Sequence, residues 1–384
     1  MSEAPRPATR AALLGCATLT IMAAAIISPG LPEMRTVLGD DVGVRLALTV
    51  TSLAIAVSAP VSGAIADRFG RRPLLVASLL LYAVAGTAGL YAPGLATLIG
   101  TRAALGLAVG GITTAVSALI TDLFDGPARA RFLGLQQAFA SLGGVVFLLL
   151  AGVLATAGWR APFWLYAASL LVVPLVLLAV ADRPAPTDRP PPAPGGSSGY
   201  AGIYAIALLA TLVFFMVPTQ LPFLLAELSV GPALVGVVMA ASTASSAVAA
   251  LGYGALRGRF GFVPITTGSV VLLGTGWTIV GLTPSLPVIL VGVLIGGAGI
   301  GLGVPNLTTW LGVLAPPARR GRVLGGLVTA IFLGQFLSPL ALAPVVAVLG
   351  VASSFVVTGA ACVVVTLLVA AAVTARGRRH PATT

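Results

Sequence analysis

The sequence has very few of the side chains that build catalytic and metal sites. Its 384 residues include one histidine (His380), two cysteines (Cys16 and Cys362) and no lysine. The histidine lies in the carboxy-terminal tail, and the cysteines stand singly in the first and last apolar segments, so neither a metal site nor a disulfide is indicated. No serine has an evident basic partner. We therefore expect no cofactor and no enzymatic activity.

Charge is also scarce, since only 8% of the residues are charged, 58% are hydrophobic and the mean hydropathy is +1.08. A water-soluble domain cannot hide so much apolar surface. Apolar runs of about 20 residues, enough to cross about 30 Å of hydrocarbon as a helix, recur along the chain. We predict an all-α membrane protein with twelve transmembrane helices, because lipid offers the backbone no hydrogen-bond partners. The predicted spans are residues 11–32, 44–66, 74–92, 95–120, 131–155, 160–181, 200–226, 232–256, 263–283, 286–311, 322–348 and 351–374.

The second half of the chain repeats the first at a fixed offset of 191 residues. The segment GAIADRFGRRP (63–73) returns as GALRGRFGFVP (254–264), with six of eleven residues identical. The same offset pairs Gly106 with Gly297, Gly110 with Gly301, Arg131 with Arg322, Gly134 with Gly325 and Gly143 with Gly334. Such a duplication in an apolar chain is typical of transporters, whose like halves rock around a site between them. We predict two pseudo-symmetric six-helix bundles, 1–181 and 200–384, joined by a Pro/Gly-rich cytoplasmic linker at 182–199.

All 21 basic residues are arginines, and the net charge is +11. In a soluble protein this would suggest a nucleic-acid partner, but membrane topology explains it better. With the amino terminus inside, 17 arginines fall on the cytoplasmic side, one within a span (Arg102) and three outside (Arg35, Arg45 and Arg160), which is the positive-inside bias. We expect a monomer in the bacterial cytoplasmic membrane with both termini in the cytoplasm, the lipid bilayer as its surroundings and no nucleic-acid partner.

The loop after the second span carries a recognisable motif. Its residues are Gly63, Asp67, Arg68, Gly70, Arg71 and Arg72. Gly63 permits close helix approach, Gly70 permits a tight turn, and Asp67 can face the positive end of a neighbouring helix and be neutralised by Arg71. The motif resembles that of the major facilitator superfamily, and within it the twelve-helix bacterial drug and metabolite exporters. The resemblance implies that Asp67 and Asp122, at the end of the fourth span, form a latch that closes the cytoplasmic side. A role of the three arginines in topology alone remains an alternative.

Arg102 stands about eight residues into the fourth span, where insertion of an arginine costs roughly 2.5 to 3.5 kcal/mol. It opens a pattern with Gly106, Gly110 and Gly111, whose spacing stacks the glycines on one helix face for a closely packed neighbour. This is similar to a second motif of the family, whose arginine is implied to contribute to proton coupling. An arginine that snorkels to the outer interface is the alternative.

None of the ten carboxylates lies in the middle of a span. Proton-coupled members of the family often carry such an acid, so proton coupling is implied here by the resemblance alone. Glu33 and Glu227, at the outer ends of spans one and seven, are the best remaining proton carriers, with an anchoring role at the outer interface as the alternative. The fifth span also departs from the exporter pattern, because no proline follows Gly143 and Gly144 before Gly152.

Several spans carry amides and phenylalanines that suit a largely apolar central cavity. The candidate cavity residues are Gln136, Gln137, Phe139, Phe214, Phe215, Gln220, Asn306, Phe332, Gln335 and Phe336. For each amide an interhelical hydrogen bond is an alternative, and for each phenylalanine simple packing is. Prolines in spans one, seven and ten, such as Pro29, Pro218 and Pro305, predict bent helices.

The resemblance implies a secondary active transporter that works by alternating access and couples proton entry to the efflux of small amphipathic compounds, such as drugs or secondary metabolites. Because a mid-span acid is missing, a facilitator or importer of a small metabolite without proton antiport remains an alternative. A membrane-embedded enzyme or a receptor would belong to a different class, and neither needs to move solute.

Overall fold

The computed structural model describes residues 6–181, 200–316 and 319–379. The predicted linker at 182–199 and His380 lie outside these residues. The described chain is almost entirely helical and contains no strand, which confirms the all-α prediction.

The membrane helices are numbered TM1 to TM12 in chain order. They are TM1 (Pro7–Leu38), TM2 (Asp41–Phe69), TM3 (Arg71–Tyr91), TM4 (Leu95–Leu123), TM5 (Gly126–Ala155), TM6 (Ala161–Ala179), TM7 (Ala201–Glu227), TM8 (Pro232–Arg257), TM9 (Phe262–Leu282), TM10 (Leu286–Leu314), TM11 (320–349) and TM12 (351–379). TM11 and TM12 follow each other without a loop, and the chain reverses at Gly350, where φ is 77° and ψ is 170°. All twelve predicted spans are therefore present among the described residues.

Two of the three predicted bends are breaks in the helix. TM1 is interrupted by a 3₁₀ turn at Ser28–Gly30, and TM7 is divided into Ala201–Phe214 and Met216–Glu227. Proline explains both, because Pro29 and Pro218 lack the amide hydrogen that a continuous helix needs. TM10 contains Pro305 yet runs as one helix from Leu286 to Leu314.

The turn between TM2 and TM3 is made by Gly70, as the sequence predicts. Its φ of 93° and ψ of 162° end one helix and begin the next within a single residue. Residues with a Cβ rarely adopt a φ in this region, so glycine is required here. The start of TM2 is set by Asp40, whose side chain accepts a hydrogen bond from the Gly43 amide at 2.9 Å, an N-cap.

The two halves of the chain pack in the same way, which confirms the pseudo-symmetry. In the first half TM2 packs against TM4, and a Cβ on Gly106 would collide with the carbonyl oxygen of Thr51. In the second half TM8 packs against TM10, and a Cβ on Gly297 would collide with the carbonyl oxygen of Ser242, the residue 191 positions after Thr51. The glycines therefore bring equivalent helices into backbone contact in both bundles.

The sequence pattern predicts one closely packed neighbour for all the glycines of TM4, but the structure shows two. Gly106 and Gly110 face TM2, where they meet Ala54 and Ser58, whereas Gly111 faces Ser78 of TM3. Adjacent positions on a helix point about 100° apart, so two neighbouring glycines serve different contacts.

Candidate functional site

The helix ends define two faces of the molecule. The inner face carries the start of TM1 and the Gly70 turn, and it is the face predicted to be cytoplasmic. The outer face carries the turns at Gly39 and Gly158. The two halves meet where TM2 packs against TM11 and where TM5 packs against TM8, so any site between them is bordered by these four helices.

At the outer face the two halves are in backbone contact. A Cβ on Gly152 of TM5 would lie 2.9 Å from the Cα of Gly236 in TM8, and one on Gly236 would lie 2.7 Å from the carbonyl oxygen of Leu148. The outer part of TM1 also packs against the outer half of TM7. The outer face is therefore closed.

Two pseudo-equivalent contacts join the halves at mid-depth. The Ser52 hydroxyl of TM2 donates a hydrogen bond to Oε1 of Gln335 in TM11 at 2.8 Å. A Cβ on Gly144 of TM5 would lie 3.5 Å from Cγ2 of Thr243 in TM8. The repeat offset pairs Ser52 with Thr243 and Gly144 with Gln335, so these are the same contact made twice. Ser52 was not among the residues predicted from the sequence. The repeat offset gave a signal for it, because it pairs Ser52 with Thr243 and pairs Gln335 with Gly144.

At the inner face the halves are apart. Beyond Ser242, none of the described residues of TM8 is buried, and Leu251 is 80% exposed. TM2 also becomes more exposed toward the inner face. Its outer half is buried on most sides, whereas Val57 further inward is 61% exposed. The described glycines at which an added Cβ would meet nothing within 4 Å include two inner pairs related by the repeat, Gly63 with Gly254 and Gly134 with Gly325.

From these contacts and exposures we infer a vestibule between the halves that is closed outside and open inside, an inward-open conformation. Gly63, expected to permit close helix approach, has no neighbour in this conformation.

TM5 shows which of its predicted cavity residues face the vestibule. Gln137 is exposed and lies on the same helix face as Gly144, which is buried against TM1 and TM8 about two turns further out. Gln136 is half-buried beside it. Phe139 lies on the opposite face, in an exposed apolar stripe with Leu142 and Val146. Phe139 therefore faces the surroundings of the bundle, in contrast to the expectation.

The remaining cavity candidates divide between the interface and the interior of the second half. Gln335 bonds across the interface, and Phe332 and Phe336 are half-buried on the same helix. Gln220 and Phe215 are buried in TM7, where Oε1 of Gln220 has no hydrogen-bond partner among the described residues.

Two candidates instead hold the second bundle together. Nδ2 of Asn306 donates to the carbonyl oxygen of Phe262 and to Oγ1 of Thr266, both at 2.9 Å, so the amide ties TM10 to TM9. Phe214 stacks on Trp277 with ring centroids 6.2 Å apart. Asn306 thus makes an interhelical hydrogen bond and Phe214 packs against an aromatic neighbour, which are the alternatives to a cavity role.

The charged motif at the inner face lies next to the end of TM4. Arg71 is buried and forms an ion pair with Asp122, while Nη2 of Arg72 donates to the carbonyl oxygen of Leu177 at 2.6 Å. Arg68 is exposed, with its guanidinium 5.3 Å from the Phe69 ring. The side chain of Asp67 lies outside the described part of the structure. Arg71, expected to neutralise Asp67, thus forms an ion pair with Asp122, the second predicted acid of the latch, within the first bundle.

Arg102 is enclosed by its own bundle and is only 1% exposed, so it does not snorkel to the outer interface. Its Nη2 donates to the carbonyl oxygens of Ala85 and Gly86 at 3.2 and 2.9 Å. Its guanidinium lies 4.8 Å from the Phe163 ring and 4.7 Å from the Tyr166 ring, which are cation–π distances. Within the described part of the chain, backbone carbonyls and aromatic faces rather than a carboxylate thus offset part of the cost of burying this charge, and Nε and Nη1 have no hydrogen-bond partner there.

The second bundle fills the equivalent space with an indole. The offset pairs Arg102 with Val293 and Gly86 with Trp277, and Trp277 is fully buried with its Nε1 donating to the Val213 carbonyl at 2.6 Å. A charged side chain on one helix in the first half is thus replaced by an aromatic one on a neighbouring helix in the second. Arg102 is thus one asymmetric feature within the repeated architecture.

Glu33 and Glu227, the candidate proton carriers, are exposed at the outer face. Glu33 lies near Gly158, the turn that precedes TM6, and Glu227 ends TM7. Neither projects into the inward-open vestibule.

Comparison with known proteins supports the assignment of the fold. The chain is 38% identical over 162 residues to the tetracycline resistance protein, class C, of Escherichia coli, covering 39% of each protein. It is 32% identical over 117 residues to the niacin transporter NiaP of Acinetobacter baylyi, covering 30% of this chain and 27% of that protein. These matches span well under half of either relative. A solved bacterial homologue of the human lysosomal transporter Spinster, in an inward-facing and occupied conformation, superposes with a TM-score of 0.77 and 17% identity over 95% of this chain and 96% of that one.

The family model described as the Major Facilitator Superfamily matches residues 13–206 and again residues 203–384. The two matches divide the chain where the internal repeat divides it, and together they cover nearly all of it. The chain therefore belongs to the Major Facilitator Superfamily.

Proposed function

We propose that this protein is a secondary active transporter that works by alternating access. The observation that carries the proposal is the vestibule between two pseudo-equivalent halves, closed at Gly152 and Gly236 and open at the inner face. The paired contacts at mid-depth provide an axis, because rocking the halves about them would part the outer ends and bring the inner ends together. The inward-open structure is then one of two end states.

The transported solute, in this proposal, is a small amphipathic compound such as a drug or a secondary metabolite, exported as protons enter. The exposed wall of the inner half is mostly apolar, with amides such as Gln137 for orientation, which suits such a solute. The similarity to a tetracycline resistance protein supports export. The protein would act as a monomer in the bacterial cytoplasmic membrane with both termini inside.

For proton coupling we assign Arg102, Glu33 and Glu227. Arg102 is a buried charge whose energetic cost demands a reason, and the two glutamates are exposed acids at the ends of TM1 and TM7 that an outer proton can reach. A facilitator or importer of a small metabolite is the second candidate, which the similarity to a niacin transporter and the absence of a mid-span carboxylate from the sequence favour.

Transport and coupling are tested together in proteoliposomes. We expect efflux of an amphipathic compound from a reconstituted panel, acidification of the compartment that receives the counter-transported protons, and loss of concentrative efflux when an uncoupler is added. Arg102→Ala should retain solute counterflow but lose the uncoupler-sensitive component. Efflux by the native protein that is insensitive to the uncoupler would remove antiport and leave the facilitator, whereas no movement of any compound would contradict transport itself.

We also propose that Asp67, with Gly63, Arg68, Gly70, Arg71, Arg72 and Asp122, forms the inner gate of the outward-open state. The ion pair of Arg71 with Asp122 holds one side of this gate in the inward-open state, and Gly63 has free space that a closing helix can enter. Asp67→Asn should therefore raise the inward-open population and slow transport. Spin-label distances between the inner ends of TM2 and TM8 measure this, with Arg259→Gln, the exposed arginine of the repeated motif, as the control. Unchanged distances in Asp67→Asn would refute the gate.

A further inference from the structure

Arg45, near the outer end of TM2, is buried at 4% exposure although it was expected to be an external charge. It is held on its own half by the Asp41 carboxylate, with which it forms an ion pair, and by the Asp41 carbonyl oxygen at 3.1 Å from its Nη1. Burial of an arginine at the boundary between two helical bundles is costly unless its donors are satisfied.

The other partners of Arg45 belong to the opposite half. Its Nε donates to the carbonyl oxygen of Thr219 in TM7 at 3.2 Å, and its guanidinium carbon lies 4.1 Å from the centre of the Phe223 ring. Phe223 is itself only 1% exposed. One guanidinium thus makes an ion pair within the first bundle and a hydrogen bond and a cation–π contact with the second.

A second arginine contacts the same ring. Arg35, at the outer end of TM1, has its guanidinium carbon 5.0 Å from the Phe223 ring centre and lies 3.7 Å from the Asp41 carboxylate. Unlike Arg45, its side chain is half exposed. Asp41 therefore holds two guanidinium groups against one aromatic ring of the other half.

The position is also where the repeat breaks down. The offset pairs Arg45 with Gly236, and Gly236 closes the TM5–TM8 seam of the outer face by backbone contact. The outer face is thus closed by different chemistry at two equivalent positions. Between TM5 and TM8, Gly236 makes a backbone contact, whereas between TM2 and TM7 the guanidinium of Arg45 lies on the Phe223 ring.

We propose that Asp41, Arg45 and Phe223 form the outer gate residues of the transport cycle, a clamp that must release before the outer face opens. This assignment rests on the proposed alternating-access function, but its test does not need the substrate. The clamp stabilises the inward-open state because its cross-half contacts exist only while TM2 and TM7 stay together.

The test measures the outer opening directly. Spin labels at Val37→Cys and Leu234→Cys, two exposed outer positions on opposite halves, report the separation by pulsed electron paramagnetic resonance in a background of Cys16→Ala and Cys362→Ala. Arg45→Ala should increase the long-distance, outward-open population relative to the inward-open one by about tenfold, since it removes a charge-assisted hydrogen bond and a cation–π contact. Arg35→Ala should have a smaller effect, and Arg45→Lys an intermediate one, because lysine keeps the charge but lacks the planar face.

The matched control is Arg160→Ala. Arg160 is another outer arginine with a cation–π contact, 4.1 Å from the Trp159 ring, and a hydrogen bond to the Ala92 carbonyl, but all these partners lie in its own half. It should leave the distances unchanged. Phe223→Leu removes the ring from the other side, and its effect should not add to that of Arg45→Ala in the double variant.

A folded Arg45→Ala protein with the native distance distribution, or an equal shift in Arg160→Ala, would overturn the clamp. Additive effects of Arg45→Ala and Phe223→Leu would do so as well. If the distances shift as expected while no compound is transported, the clamp stands and the proposed function fails. If a compound is transported while the distances stay unshifted, the proposed function stands and the clamp fails.

Discussion

Gly236→Leu is expected to open the outer face and trap the transporter in the outward-open state. The backbones of TM5 and TM8 touch at Gly152 and Gly236, and the nearest atoms to an added Cβ are backbone atoms that cannot move aside. Overpacking of such a contact costs about 2 kcal/mol, which shifts a two-state equilibrium by roughly 30-fold. The inward-open state carries this cost, whereas a conformation with parted outer ends does not.

Labelling of Gln137→Cys by a water-soluble maleimide in inside-out vesicles measures this shift. Gln137 is exposed to the vestibule in the inward-open state, so the labelling rate should fall about 10-fold or more in Gly236→Leu. Gly252→Leu is the matched control on the same helix, because an added side chain there meets nothing within 4 Å. An unchanged rate in Gly236→Leu, or an equal fall in both variants, would contradict the assigned outer closure.

Gly106→Leu should give the largest loss of stability. A Cβ at this position would collide with the Thr51 carbonyl and lie 2.6 Å from the Ala54 Cβ, so TM4 and TM2 would have to separate. The expected loss is about 3 kcal/mol, because close backbone approach through small residues is what holds membrane helices together. The change lies within one bundle, so it should affect unfolding and not the balance of inward-open and outward-open states.

Thermal unfolding in detergent, followed by loss of the monodisperse peak, is the measurement for Gly106→Leu. Gly100→Leu is its control, since Gly100 lies on the same helix with nothing within 4 Å of an added Cβ. Gly297→Leu should match Gly106→Leu, because it meets the pseudo-equivalent Ser242 carbonyl in the second bundle. A Gly106→Leu protein as stable as Gly100→Leu would contradict close backbone packing of TM4 against TM2 at Gly106.

The helices and the repeat could be predicted from the sequence because each is a pattern shared by many residues, so no single residue decides it. A run of about 20 apolar residues predicts a span whatever its neighbours are, and a repeat offset survives many substitutions. The Gly70 turn was predictable for a local reason, since only glycine readily adopts its φ of 93°.

The sequence did not reveal which polar side chains face the vestibule. TM5 is apolar nearly all round, so its pattern does not distinguish the vestibule face of Gln137 from the outer face of Phe139. Asn306 has the same ambiguity, because an amide can serve a solute or a neighbouring helix equally well, and the Thr266 hydroxyl that settles it lies 40 residues away.

Arg45 shows a third limit, set by contacts across the two halves. Its charge and its place near the end of a span predict exposure, yet the helix begins earlier, at Asp41, and the residues that bury it come from TM7. The repeat itself contains a signal for this difference. The offset pairs Arg45 with Gly236, and an arginine at the position of a glycine indicates that the two contacts between the halves are built differently.

The central claim is that one vestibule opens alternately to the two faces by rocking of pseudo-equivalent halves. Its most direct test is single-molecule fluorescence transfer between labels at Phe69 and Phe260, equivalent exposed residues at the inner ends of TM2 and TM8, compared with an outer pair at Val37 and Leu234. We predict two interconverting inner distances, with the short inner distance accompanying the long outer one, and a shift toward that state in Gly236→Leu. A single inner distance that stays fixed while the outer pair separates would contradict the account.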